Sequence, residues 1–295
     1  MTTIHVPDIE CDSCVRLISK HLIKEHISFS IKGDTIETDD VKRTIAIIKQ
    51  LGYRAAEQPF ERKTFKERWR HMREQKHKYT TEYTGISYFI GIVITLAVIL
   101  AIAYAGFLNT IPDFTAKYSW WMFYLIITVA AVGTALWHFF AYRGKITCMV
   151  GMMIGMTFGM QTGMMLGAIV GATNGFFIGS MVGMLTAAVV GAITGRCCGI
   201  MGVMEGLMAA VMGGTMGAMI SVMMFADNLL WFMPFFMGLN LIILAGLSYM
   251  LYEEVVEDKE VERKPLDFLS VASGCIIVFA VIVAIILFAP AYALL

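Results

Sequence analysis

The sequence predicts an α-helical polytopic membrane protein of about seven transmembrane helices, with a small α+β domain of order βαββαβ at its N-terminus. Three observations predict this. The 295-residue chain is 58% hydrophobic, above the usual share in a soluble domain. Its basic residues are segregated: of 23 Lys and Arg, sixteen precede residue 80, although the formal net charge is zero. The remainder contains repeated uncharged runs of about 20 residues, enough to cross roughly 30 Å of hydrocarbon as helices. The expected organisation is a soluble domain over 1–58, a basic juxtamembrane linker helix over 59–83, and a transmembrane domain over 84–295.

The soluble domain opens with the short alternating strand "TIHV". "CVRLISKHLIKE" gathers Val15, Leu17, Ile18, Leu22 and Ile23 mostly on one helical side. "ISFSI" and "TIET" flank "KGD", a hairpin signal. "DDVKRTIAIIKQLG" starts with capping aspartates and stops at glycine, and "YRAAE" is the last strand. The N-terminus "MTTIHVPDIECDSC" lacks a charged head followed by an apolar run, so no signal peptide is expected.

Seven candidate spans follow, over about 85–108, 119–142, 146–171, 175–196, 199–225, 229–252 and 267–291. The third and fourth are split at "GATNG", because one straight helix over 146–196 would be about 75 Å long. The linker "FERKTFKERWRHMREQKHK" should stay in the cytoplasm with the N-terminal domain. Alternation from there puts Arg143, Lys145, Arg196, Lys259, Arg263 and Lys264 inside and only Lys117 outside. The linker also fits a polybasic lipid-binding segment or a nucleic-acid patch. The acidic run "EEVVEDKEVERK" fits a solvated loop or a docking surface for a partner.

Two features carry chemistry. The first is C-x-x-C at the junction of the first strand and first helix, where Cys11 and Cys14 can converge on one ion and the helix N-terminus lowers their pKa. Two sulfur ligands suit Cu(I), Ag(I) or Hg(II), whereas zinc usually takes four ligands. These residues, the apolar helix behind them and "LGYRA" at 51–55 resemble the heavy-metal-associated domain of copper chaperones, copper ATPases and mercury-binding proteins. The resemblance covers about 55 residues and implies a ferredoxin-like domain that binds a soft metal. The chain departs from that family's Gly-Met-x-Cys-x-x-Cys: Asp8 and Ile9 replace Gly and Met, and acidic Glu10 and Asp12 flank the first cysteine. Redox chemistry and a non-binding relic are the alternatives for this motif.

The second feature is the block 149–224, which holds seventeen of 23 methionines and seventeen of 27 glycines. Glycine occurs at every fourth position from 151 to 183, as a small-x-x-x-small pattern for close helix packing in lipid. The three spans of this block are expected to form a tight inner cluster, with the other four around it. Met152, Met156, Met160 and Met164 form one stripe, and Met204, Met208, Met212 and Met216 another. Thioethers are soft neutral ligands for Cu(I) and Ag(I), and they also fill gaps beside glycines. Cys148, Cys197, Cys198 and Glu205 all fall at the expected cytoplasmic end of these spans, where an ionisable group is usually functional. His138 and Cys275 read as structural, and Asp227 and Asn228 as a helix cap or the outer mouth.

The M-x-x-x-M and G-x-x-x-G combination is similar, locally, to the Ctr copper transporters. "LMAAVMGGTMGAMISVMM" at 207–224 resembles the Gly/Met-rich core of bacterial membrane proteins and implies a bacterial or archaeal cell membrane. No enzyme is expected: a copper-pumping ATPase needs a D-K-T-G and a large nucleotide domain, and neither that motif nor a Walker motif is found. The leading expectation is uptake of Cu(I), or of Ag(I) or Hg(II), from the methionines to the membrane cysteines and on to Cys11 and Cys14. The expected partners are the bilayer, the metal ion, a cytosolic metal chaperone and further copies of the chain, without nucleic acid. The alternatives are a soft-metal sensor or copper-insertion factor and a thiol–disulfide membrane reductase.

Overall fold

A computed structural model describes residues 2–7, 9, 12–51, 53–57, 80–106, 114–141, 148–255 and 267–289. The chain divides into two units, one built from residues before 80 and the other from the apolar helices. Cys11, most of the basic linker and the loops carrying Arg143, Lys145, Lys259, Arg263 and Lys264 lie outside the described residues.

In the first unit, β1 (Thr2–His5), β2 (Phe29–Lys32) and β3 (Thr35–Thr38) form an antiparallel sheet in the order β1-β3-β2. β2 and β3 are joined through Gly33 and Asp34, with Lys32 opposite Thr35. Gly33 has φ +62° at the first loop position, where a tight hairpin turn favours glycine. Two helices accompany the sheet, α1 (Asp12–Lys24) and α2 (Val41–Gln50). Asp40 caps α2 by accepting from the Arg43 amide at 3.2 Å, which satisfies one of the donors that a helix start leaves over. The expected fourth strand over 53–57 contributes one antiparallel bridge, in which His5 and Ala56 exchange hydrogen bonds of 2.8 and 3.2 Å. Ile4, Ile18, Leu22, Ile36 and Ile48 form the core between helices and sheet, and Cys14 is buried in it.

The second unit contains α3 (Thr80–Gly106), α4 (Phe114–Ala141), α5 (Cys148–Asn174), α6 (Phe176–Gly195), α7 (Gly199–Met224), α8 (Leu229–Val255) and α9 (Phe268–Phe288). By length and composition they make six apolar spans, the fourth of which, Phe176–Met224, is 49 residues long and holds both α6 and α7. The chain is a helical, multi-pass membrane protein. Gly175 (φ +87°) breaks α5 from α6, within the "GATNG" stretch. Gly199 (φ +69°) follows a 3₁₀ turn over Arg196–Cys198 that separates α6 from α7.

α3, α4 and α9 pack through aromatic residues: Tyr88 lies 4.7 Å from Trp137 and 5.1 Å from Phe268, centroid to centroid. Phe139 of α4 meets Phe158 of α5 at 6.2 Å. Asn174 donates to the carbonyls of Ile286 and Ala289, which ties the end of α5 to that of α9. α8 buries Met233, Met237, Asn240, Leu244, Leu247 and Leu251, a stripe at helical spacing.

The glycine helices α5, α6 and α7 pack on one another as expected, but the other helices do not encircle them. Leu185 and Val189 on α6, and Met204 and Met208 on α7, are exposed. The outer faces of these two helices are themselves apolar, which suits contact with lipid or with another copy.

Candidate metal centre

The glycines set the geometry of the site. A Cβ built at Gly195 or Gly191 would collide with the backbone of Gly202 or Gly206, and one at Gly183 with Gly167 and Gly214. As the α6 number falls the α7 number rises, so these two helices are antiparallel. Gly155, Gly159 and Gly167 meet the Gly202, Gly206 and Gly214 carbonyls in ascending order, so α5 and α7 are parallel. At Gly163 all three helices converge, with Gly214 N at 2.6 Å and the Ala187 Cβ at 3.2 Å from the added carbon. Backbone lies on backbone along this axis, which leaves no passage for an ion between the three helices.

The methionines lie around that axis. Met152, Met160 and Met164 are half-buried and Met156 is exposed, as are Met204, Met208, Met212 and Met216. Gly213 packs on the backbone of Met160 and Gly217 on that of Met164. Met212 and Met216 immediately precede those two glycines. Met160, Met164, Met212 and Met216 therefore border one seam, between α5 and α7 on the side away from α6. Met204 and Met208 are exposed farther along α7.

At one end of the same helices sits a pair of thiols. The 3₁₀ turn brings Cys197 Sγ and Cys198 Sγ to 3.8 Å, although adjacent side chains usually point apart. Both lie over Gly151 of α5: a Cβ there would fall 2.7 Å from Cys197 Sγ and nearer still to Cys198 Sγ. Cys197 also contacts the Thr194 carbonyl at 3.3 Å. With metal–sulfur bonds of about 2.3 Å, a separation of this size corresponds to an S–metal–S angle of about 110°. The pair as it stands fits a bent site completed by one or two further ligands, rather than a linear two-sulfur site.

Cys148 begins α5, one turn before Gly151 and Met152; its side chain lies outside the described residues. Glu205 is half-buried in the second turn of α7, next to Met204. Among the described residues, no three His, Cys, Asp or Glu side chains converge as a metal cluster.

Cys275 and His138 are buried in the membrane unit. Cys275 packs against Gly133 and lies 3.9 Å from the Val129 carbonyl. Sequence reasoning missed four other polar groups. Gln161, Thr162, Ser180 and Asn240 are buried, and the Gln161 Oε1, Thr162 Oγ, Ser180 Oγ and Asn240 Oδ1 atoms have no hydrogen-bond partner among the described residues. The signal was available, as an amide or hydroxyl inside an apolar run. The chain matches no family model, no curated protein and no solved structure.

Proposed function

We propose that the chain is a membrane transporter for a soft metal ion, taking up Cu(I) into a prokaryotic cell and passing it from methionines to thiols to the N-terminal domain. The observation that carries this reading is the Cys197–Cys198 pair, 3.8 Å apart over Gly151, at one end of the helices that carry the two methionine stripes. Thiolate and thioether ligands select Cu(I) over harder ions. The ion runs along the methionine seam, because the glycine contacts exclude a route between the three helices. Further copies of the chain, packed on this outer face, would shield that seam from lipid. Inside-negative potential supplies about 2.3 kcal/mol per 100 mV for each entering monovalent charge, and thiol binding draws the ion the same way.

The N-terminal domain is the acceptor in this scheme. Its β1-β3-β2 order, two helices and the bridge that adds a segment beside β1 agree with a ferredoxin-like domain of the heavy-metal-associated kind. The basic linker keeps it on the cytoplasmic side. A cytosolic chaperone would then collect the metal from Cys11 and Cys14.

Proteoliposomes loaded with a Cu(I) chelator test this. We expect copper accumulation that rises with an inside-negative potential and falls several-fold in a Met212→Leu, Met216→Leu double variant. Equal accumulation in empty liposomes ends the proposal. Cys11→Ser with Cys14→Ser distinguishes a sensor or insertion factor, which would lose cellular function while any conductance persisted.

A further inference from the structure

The helical layer of the N-terminal unit is strongly basic on its outer side. Ile4 and Ile36 are cross-strand partners, so their side chains leave the sheet on one face. Ile18 and Leu22 of α1 and Ile48 of α2 share the core with them, so both helices lie over that face. On α1, Arg16, Lys20, Ile23 and Lys24 are exposed and recur at i, i+4, i+7 and i+8, which is one side of a helix. On α2, Lys42, Arg43 and Lys49 are exposed, away from buried Thr44 and Ile48. Asp12, at the start of α1, is the one acidic residue in either helix. Among the described residues none of these six cations is ion-paired. Lys32, by contrast, pairs with Glu37 at 3.1 Å on the far side of the sheet.

Apolar side chains are set among the charges. Leu17 and Ile23 are 42% and 64% exposed, on the same outer side of α1 as its cations. A basic helical face with protruding leucine and isoleucine has the composition of an interfacial membrane helix. Neither helix contains Phe, Tyr or Trp, the side chains on which unpaired bases stack. Duplex nucleic acid is held by polar contacts to its phosphates, which give Ile23 no role.

The bilayer that the chain itself crosses is the surface always within reach of this face. The 22 residues 58–79 join the unit to α3, which begins at Thr80, and span at most roughly 75 Å. Binding is therefore intramolecular, at a high effective concentration. Anionic headgroups attract each nearby Lys or Arg by about fivefold in partition. We infer that α1 and α2 dock the N-terminal unit on anionic lipid, with their six cations at the headgroup phosphates and Leu17 and Ile23 in the interface. The sheet, with Lys32 and Glu37, then faces water. This face belongs to the folded unit and is distinct from the basic linker. The inference rests on the membrane spans and not on metal transport.

The test uses the full-length protein in nanodiscs of phosphatidylcholine, alone or in equal mixture with phosphatidylserine. Exposed lysines are acetylated with a water-soluble ester, and the rate at each is read by mass spectrometry. In the anionic discs Lys20, Lys24, Lys42 and Lys49 should be slowed at least about fivefold, with Lys32 unchanged. The slowing should vanish in 1 M salt, where the Debye length is about 3 Å. Arg16→Gln with Lys20→Gln should weaken docking about 25-fold, read as faster reaction at Lys42 and Lys49. Lys42→Gln with Lys49→Gln is read in the same way at Lys20 and Lys24, so either variant decides if the other misfolds. Equal rates in the two lipids, or equal slowing of Lys32, overturn the proposal. So does slowing already complete in phosphatidylcholine, the result expected if the acidic run over 253–264 covered the face. Slowing that appears only on addition of RNA overturns it as well.

Discussion

Replacing Gly151 with alanine should damage the thiol pair while leaving the helices intact. The added Cβ would fall 2.7 Å from Cys197 Sγ and closer to Cys198 Sγ, whereas ordinary van der Waals contact begins at 3.4 Å. Cys197 must therefore retreat by at least about 0.7 Å, the difference of those two distances, and Cys198 by more. Each sulfur sits one torsion from the backbone, so retreat turns χ1 away from its well at about 0.5–1.5 kcal/mol per side chain. Two thiols held off their wells cost about 1–3 kcal/mol, or roughly 5- to 160-fold in Kd. Without metal the thiols relax freely, and alanine is the better helix former, so folding should survive.

The measurement is a competition titration with a chromophoric Cu(I) chelator. It uses full-length protein carrying Cys11→Ser and Cys14→Ser, so that only the membrane site is read. Gly246→Ala is the control, because an added Cβ there meets nothing within 4 Å. Weaker binding in Gly151→Ala alone supports the geometry. An affinity equal to that of the control would refute it, since a site that tolerates a methyl group at this spot cannot depend on both sulfurs.

Three more outcomes follow from contacts elsewhere. Gly163→Ala puts a carbon 2.6 Å from Gly214 N and 2.9 Å from Gly213 C; as backbone cannot yield cheaply, we expect about 1–3 kcal/mol of destabilisation, read as a lower melting temperature than Gly246→Ala. Asn174→Ala removes both bonds to the Ile286 and Ala289 carbonyls, about 1 kcal/mol each, and hydrogen exchange over 285–289 should accelerate. His26 adopts φ +56° where α1 turns into β2; His26→Gly relieves about 1 kcal/mol of left-handed strain, so amides of α1 should exchange more slowly, and unchanged rates would count against that strain.

Much of the membrane unit was legible because its glycine period has a single physical use. A Cβ missing at every fourth residue matters only where another backbone comes within reach, and the contacts at Gly155, Gly163 and Gly183 are of that kind. The break at Gly175 was legible too, since a turn was needed and "GATNG" offered it. The thiol pair was not. Its cysteines were named as ligands, but their convergence depends on a 3₁₀ turn and on the empty space over Gly151, a residue assigned to packing alone. Thr162 was passed over because a threonine in a span ordinarily bonds to its own helix, and only the structure shows that its hydroxyl has no partner among the described residues.

The methionine stripes show where periodicity stops being informative. In α5 each methionine of the stripe follows a glycine by one residue, at 152, 156, 160 and 164. In α7 Met212 and Met216 precede Gly213 and Gly217 by one. One residue is a rotation of about 100°, so the two stripes stand off their glycine contacts in opposite rotational senses. On antiparallel neighbours with facing glycines, those offsets would carry the stripes to opposite sides of the contact. On parallel neighbours they carry both to the same side. α5 and α7 are parallel because α6 returns the chain between them, so Met160, Met164, Met212 and Met216 border one seam. The offsets are written in the sequence, but their meaning depends on which glycine helices pair and in which direction, and that is decided by the turns at Gly175 and Gly199.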